Sequence, residues 1–127
     1  MKSPLRIFRY LVCVALFGVV RLFAAPVDEI EALLKYVSQL EGASFVRNGD
    51  VHTPKEAEAH LRLKWSNQKS KITTAEDFIK LCATKSSMSG QAYVIRFKDG
   101  HDEDAAKVLT RELEAIRAGA KTKTAPQ

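Results

Sequence analysis

Four stretches of the 127-residue chain place apolar residues three or four positions apart, which predicts four amphipathic helices. The first covers residues 28–42, with acidic residues at its start and Gly42 where a left-handed cap can end it. The second covers residues 53–68 and begins with Thr53 as N-cap, Pro54 in the first turn and Glu56 completing a capping box. Its expected buried positions are Ala57, Leu61, Leu63 and Trp65.

The third and fourth helical patterns follow the same logic. The third covers residues 72–85, and Thr73 with Glu76 three positions later predicts another capping box. The fourth is expected to begin at Asp102 and to stop at Gly119. Their expected inner faces are Ala75, Phe78, Ile79 and Cys82 in the third helix, and Ala105, Val108, Leu109, Leu113 and Ile116 in the fourth.

Two short segments between these helices predict strands. Residues 92–97 alternate, with Tyr93, Ile95 and Phe97 on one side, and residues 44–47 are the obvious pairing partner. The predicted fold class is therefore α+β and predominantly α, with about four helices packed on a two-stranded antiparallel ribbon. Residues 26–118 are expected to form one compact domain, followed by a disordered polar tail at residues 119–127.

The first 25 residues predict a secretory signal peptide. A basic start precedes the apolar run YLVCVALFGVV, which is too short to span a membrane, and small residues follow near Ala24 and Ala25, where we expect cleavage. An uncleaved N-terminal anchor is the alternative. The predicted location is the periplasm or the medium, with no membrane span in the mature chain.

Removal of this leader changes the charge. The whole chain has 20 basic and 15 acidic residues, a formal charge of +5, but four basic residues and no acid lie in the leader, so the mature charge is +1. Both signs are interspersed, which argues against nucleic acid as a partner because phosphate binding needs clustered positive charge. Cys13 also lies in the leader, and Cys82 is expected to be a buried, unreactive thiol.

Three polar groups are candidates for function. Arg47, Asn48 and His52 lie in and after an Asn-Gly turn that follows an apolar pair, and an arginine there suits a carboxylate or phosphate. His60 and Lys64 follow Glu56 at intervals of four on one helical strip. The third group lies in the segment TKSSMSGQAY and consists of Ser86, Ser87, Ser89, Gly90 and Tyr93.

Each group also has an ordinary structural interpretation. The turn can simply end a strand, the strip can be a row of surface charge contacts, and the serine segment can be a helix-exit loop. The sequence has no phosphate-loop, nucleophile-elbow or zinc-site pattern. It therefore predicts no metal site and no cofactor, and it identifies no catalytic residue.

The order and spacing of FVRNGDVHT, EAEAHLRLK, ITTAEDFI and KSSMSGQAYVI resemble the YfeK-like family, small signal-peptide-bearing proteins of Gram-negative bacteria. The resemblance implies a periplasmic or secreted location and one compact domain, and it brings no established activity. Many relatives have cysteines where Ser44 and Phe97 stand, which implies a cross-link that this chain lacks. The matching positions are Phe45, Arg47, Asn48, Gly49, His60, Leu61, Lys64, Thr74, Ala75, Glu76, Phe78, Ile79, Ser86, Ser87, Ser89, Gly90 and Tyr93.

The leading functional hypothesis is a non-enzymatic binding module whose polar surface combines the Arg47 turn, the His60 helix and the serine loop. Its partner would be an anionic small ligand, an envelope polymer or a protein tail. One alternative is a small hydrolase or transferase that uses Ser87 or Ser89 with His60. The other is a structural framework in which the polar side chains only fix the loops.

Overall fold

The computed structural model describes residues 24–124, and the side chains as far as residue 120. The predicted leader falls outside the described residues except for its last two positions. The described chain contains four α-helices, one short 3-10 helix and four strands. In chain order they are α1 (Pro26–Ser38), β1 (Ser44–Arg47), β2 (Asp50–His52), α2 (Pro54–Asn67), the 3-10 helix (Lys69–Lys71), α3 (Ala75–Cys82), β3 (Val94–Arg96), β4 (Asp102–Asp104) and α4 (Ala105–Thr124).

The strands form one antiparallel sheet in the order β2-β1-β3-β4. The predicted pairing of residues 44–47 with 92–97 is confirmed, as is the mixed α+β class, but the prediction of only two strands was wrong. Strand β2 was not predicted, because its three residues resemble a continuation of the Asn-Gly turn in composition. That turn is confirmed: Asn48 and Gly49 have φ angles of 53° and 82°, as a tight hairpin between β1 and β2 requires.

The fourth strand corrects the predicted start of the last helix. Asp102 is not a helix cap but a strand residue opposite Arg96, and its carboxylate accepts two hydrogen bonds from that guanidinium at 2.9 and 3.1 Å. Helix α4 therefore begins at Ala105. It also continues past Gly119 to Thr124 instead of stopping there, because glycine lowers helix stability without forbidding the conformation.

The capping boxes are predicted correctly for α2 and one residue early for α3. Thr53 and Glu56 cap α2 reciprocally. At α3 the N-cap is Thr74 and its partner is Asp77, whose carboxylate also accepts from the backbone N–H and hydroxyl of Thr73. Helix α1 ends at Ser38, four residues before Gly42, although Gly42 does adopt a φ of 72°.

The core lies between the sheet and the four helices. The predicted inner faces of α3 and α4 are buried, apart from Ile116, which is partly exposed. Leu63 was predicted to be buried but is 58% exposed. Cys82 is fully buried as predicted, and burial raises the pKa of its thiol to about 11.

The sheet register bears on the cross-link that the family resemblance implies. Ser44 lies opposite Arg96, one residue before Phe97. The two positions are thus close in the sheet without being direct partners.

Candidate functional site

One side of the hairpin formed by β1 and β2 faces helix α2. Cross-strand partners share a face of the sheet, so the pair Phe45 and His52 lies on the same side as the pair Arg47 and Asp50. Phe45 is buried, whereas Val51 on the opposite face is 60% exposed. The register therefore places Arg47 and His52 on the interior side of the sheet.

A cavity of about 190 Å³ lies at this interior side. Three of its lining residues are buried alanines from three different parts of the chain: Ala57 on α2, Ala83 just after α3 and Ala105 at the start of α4. Protein interiors are normally packed with few voids larger than a water molecule, so short side chains at a shared point leave unfilled space. The rest of the lining is Phe45, Val46, Arg47, His52, Glu56, His60, Leu61, Tyr93 and Leu109.

Arg47 and His60 meet at the edge of the cavity. Nη1 of Arg47 lies 2.6 Å from Nδ1 and 2.7 Å from Nε2 of the imidazole. A neutral imidazole has one acceptor nitrogen, so at most one of these two contacts is a hydrogen bond that the guanidinium donates. The strand and the helix that supply these two residues are thus joined by a contact between side chains 13 residues apart.

The surroundings of His60 keep its ring neutral. Burial is the main cause, and the positive charges of Arg47 and Lys64 add to it, with a smaller effect from His52; together they lower the pKa of His60 to about 4. At neutral pH the ring therefore acts as a hydrogen-bond acceptor for Arg47 and adds no charge to the site.

Lys64 lies one turn further along α2 and contacts Tyr93. Its ammonium donates to the Tyr93 hydroxyl at 3.1 Å and to the Lys85 carbonyl at 3.4 Å, and it lies 5.0 Å from the centre of the Tyr93 ring. The same hydroxyl is 3.4 Å from Nε2 of His60. Arg47, His60, Tyr93 and Lys64 thus form one continuous row of polar contacts.

Arg47 differs from the other arginines that the structure describes. Arg62, Arg96, Arg111 and Arg117 each contact at least one carboxylate within 4 Å. Within residues 24–120, the hydrogen bonds of Arg47 involve only Nη1 and His60, and no carboxylate pairs with it. Asp50, its partner across the hairpin, is the nearest acid in the sheet register, but it makes no ion pair with the guanidinium within 4 Å.

His52 is the second histidine on the cavity wall. Its Nε2 is closed off from solvent and has no hydrogen-bond partner within the described part of the chain. Its Nδ1 is 3.9 Å from the carboxylate of Glu56, which is mainly engaged in capping α2 through the Thr53 N–H at 2.8 Å. A buried polar atom without a partner is unfavourable, which makes Nε2 a group that a bound molecule could satisfy.

The remaining predicted residues form a neighbouring loop network. The Ser89 hydroxyl donates to the side-chain oxygen of Asn48, which ties the hairpin turn to the serine loop. The Ser86 hydroxyl is buried and accepts from the backbone N–H groups of Met88 and Ser89 at 3.2 and 3.4 Å. Gly90 closes the same loop with a φ of 71°. These contacts fit the structural framework considered in the sequence analysis.

The geometry gives no support to a serine nucleophile activated by His60. The side-chain partners of His60 within the described residues are Arg47 and Tyr93, and neither serine is among them. Ser89 is engaged with Asn48, and Ser87 is exposed. A nucleophile must lie within hydrogen-bond reach of its base, and the pKa of about 4 leaves His60 a weak base.

No group of three or more His, Cys, Asp or Glu side chains suited to a metal ion occurs in the part of the chain that the structure describes. None of the helices described is long and apolar enough to cross a bilayer.

The sequence predicted polar residues that the structure places at this candidate site, but it did not predict the apolar lining. Ala57, Ala105 and Leu109 were predicted to be core residues and not cavity-lining residues, and no role was predicted for Ala83. Single small residues in separate elements carry no local signal. Only the three-dimensional packing brings them to one point.

Residues 24–117 match the family of unknown function DUF5329. The chain belongs to this family. The DUF5329 match covers every element of the cavity wall, from the sheet to the start of α4.

A comparison with curated proteins gives a relative inside the YfeK-like group. The chain is 47% identical over 64 residues to the "Uncharacterized protein YfeK" of Salmonella typhimurium. This match covers 50% of the present chain and 53% of the relative. The chain therefore spans about half the length of the curated relative that it matches. No solved structure matches the chain.

Proposed function

We propose that this protein is a non-enzymatic module that binds a small anionic ligand at the cavity beside Arg47. The observation that carries the proposal is the unpaired guanidinium. Among the five arginines described, Arg47 is the one without a carboxylate partner, and it lines a cavity. Its planar fork of donors matches a carboxylate, and hydrogen bonds to charged groups are stronger than those between neutral groups.

Lys64 also favours an anionic ligand. Its ammonium also contacts no carboxylate within the described residues, and it lies next to Tyr93 on the cavity wall. Glu56 is the one acid among the lining residues, and its carboxylate is held by the cap of α2. The lining therefore carries one cation, Arg47, and one acid, and Lys64 adds a second positive charge just outside it, beside Tyr93.

The size of the cavity favours a small ligand over the other partners considered. A volume of about 190 Å³ holds a group about as large as a benzene ring and not a polymer segment. Asn48, Ser86, Ser89 and Gly90 contribute by fixing the loop beside the cavity instead of contacting the ligand.

The test is an NMR titration of the chain with acetate and with inorganic phosphate. Wild type should show shifts at Arg47 and His60, and Arg47→Gln should weaken binding about tenfold or more, the effect of losing a charge-assisted hydrogen bond. Arg62→Gln is the matched control, because it removes the same charge from α2 at a residue that does not line the cavity. Equal affinity in wild type and Arg47→Gln would refute the proposal, and so would the absence of binding.

The proposal includes export. The basic and apolar character of residues 1–25 supports a cleaved leader and a periplasmic or secreted mature protein. Intact-mass analysis of the protein from the periplasmic fraction should give a chain that begins close to Ala25. A full-length mass would contradict cleavage of the leader, and recovery with the cytoplasmic fraction would contradict export.

A further inference from the structure

The cavity has a polar rim on one side and an apolar interior on the other, and the two sides make different demands on a ligand. Glu56, His60 and Tyr93 contribute polar groups that already have partners, whereas Arg47 and His52 contribute polar groups that remain free to bind. The interior is lined by the aromatic ring of Phe45, the branched chains of Leu61 and Leu109, and three alanine methyl groups. A bare inorganic anion would satisfy the rim and leave the apolar interior unused.

We propose that the ligand is a small monocarboxylate whose apolar part, about the size of a benzene ring, fills the cavity while its carboxylate binds Arg47 and His52. This inference rests on the proposed function and specifies the ligand of the same site.

The volume sets the size of the apolar part. The cavity measures about 190 Å³. An engineered cavity of about 150 Å³ lined by leucine, isoleucine and phenylalanine binds benzene in another protein. The present cavity therefore accommodates a phenyl ring or a short branched chain, and it is too small for a fused aromatic ring system with substituents.

The free donors set the head group. Arg47 uses only Nη1 within the described chain, so its Nε and Nη2 hydrogens remain for two parallel bonds to a carboxylate. His52 lies on the same face of the hairpin, diagonally across from Arg47, and its buried Nε2 has no partner among the described residues. With its hydrogen on Nε2, His52 donates a third bond to the same carboxylate.

The alanines set the specificity. Ala57, Ala83 and Ala105 come from three elements, and a larger side chain at any of them would occupy the space of the ligand's apolar part. Ala57 is the best position for a test because it lies within α2, where leucine is also a good helix former. Ala59 is exposed on the same helix and gives a matched control.

The experiment measures the affinities of acetate, phenylacetate and benzyl alcohol for the chain by calorimetry or NMR titration. Phenylacetate should bind about tenfold or more tightly than acetate, because the ring leaves water for an apolar interior. It should also bind about tenfold or more tightly than benzyl alcohol, which lacks the carboxylate. Ala57→Leu should abolish the advantage over acetate and leave acetate binding in place, whereas Ala59→Leu should change neither.

The outcomes separate this inference from the proposed function. If acetate and phenylacetate bind equally well, the inference is overturned and anion binding at Arg47 stands. If benzyl alcohol binds as tightly as phenylacetate, the carboxylate contributes nothing to binding and the inference is overturned; if no probe binds, both are overturned. If thermal unfolding shows that Ala57→Leu has not folded, Ala57→Val, a smaller change, replaces it in the affinity measurements. Unchanged phenylacetate affinity in either folded variant would overturn the inference.

Discussion

Acidification should destabilise the folded protein through His60. The pKa of this imidazole is about 4 in the folded chain, chiefly because of burial and then because of Arg47 and Lys64, against an ordinary value of 6.5. Between these two values the unfolded chain binds a proton at this residue and the folded chain does not. Stability from this source is therefore complete above pH 6.5 and is lost as the pH falls toward 4.

The size of the effect follows from the difference in pKa. One pKa unit corresponds to about 1.4 kcal/mol, so the full difference would be about 3 kcal/mol at a completely shielded site. His60 is only partly buried, and water and salt reduce the interaction, so about 1–2 kcal/mol is expected. This is a large share of the stability of a small domain.

The assay is urea unfolding of wild type and His60→Gln at several pH values between 7.5 and 4. Glutamine can still accept a hydrogen bond from Arg47 but does not titrate, so other titrating groups contribute equally to both proteins. The free energy of unfolding of wild type should fall by about 1–2 kcal/mol more than that of the variant. A parallel NMR titration should give an imidazole pKa of about 4 for His60.

His101 provides an internal standard in the same NMR titration. Its ring contacts the carboxylates of Asp99 and Glu103, which raise its pKa above the ordinary value. The two histidines should therefore titrate on opposite sides of 6.5. A His60 pKa at or above 6.5, or the same pH dependence of stability in wild type and His60→Gln, would refute the reasoning.

Three further predictions concern stability and reactivity. Arg117→Met should lower the free energy of unfolding by about 1–3 kcal/mol in urea denaturation, because it leaves the buried carboxylate of Glu29 without the two bonds it accepts at 2.7 and 3.1 Å. Gly49→Ala should cost about 1 kcal/mol in the same assay, since φ is 82° and no atom lies close enough to clash with a methyl group. Cys82 should react with a thiol reagent at pH 8 only when the chain unfolds, because the thiol is buried and its pKa is about 11.

Controls within the chain separate these causes from general damage. Arg111→Met removes an exposed ion pair with Glu103 from the same helix as Arg117 and should have a clearly smaller effect. Gly119→Ala lies within α4 and should stabilise the protein, opposite in sign to Gly49→Ala. Comparable losses in Arg117→Met and Arg111→Met would contradict the role of Glu29 burial. A loss of stability in Gly119→Ala would contradict the explanation of Gly49→Ala by its positive φ. Labelling of Cys82 in the folded chain at the rate seen in urea would contradict its burial.

The long elements of the fold were predictable because their signals are local. Apolar residues at helical spacing identified all four helices, and the capping box of Thr53 and Glu56 fixed the start of α2. Strand β4 was not predictable in the same way. Its residues Asp102–Asp104 are all acidic and carry no apolar alternation, so their pairing with β3 depends on tertiary contacts such as the Arg96 ion pair.

The site shows the same division between local and long-range information. The strip of His60 and Lys64 follows from helical spacing, and the turn at Asn48 from its composition. The sequence placed Arg47 and His60 on one predicted surface, but their direct contact was not predicted, because it depends on how the hairpin packs against α2. The cavity itself depends on the convergence of three alanines and could not be predicted from any one segment.

The most direct test of ligand binding at the cavity is the set of intermolecular NOEs between the protein and phenylacetate. The ring protons of the bound molecule should show contacts to the methyl groups of Ala57, Ala83, Ala105 and Leu109, which line the cavity. The result that would contradict the account is a bound phenylacetate whose ring protons contact none of these methyl groups.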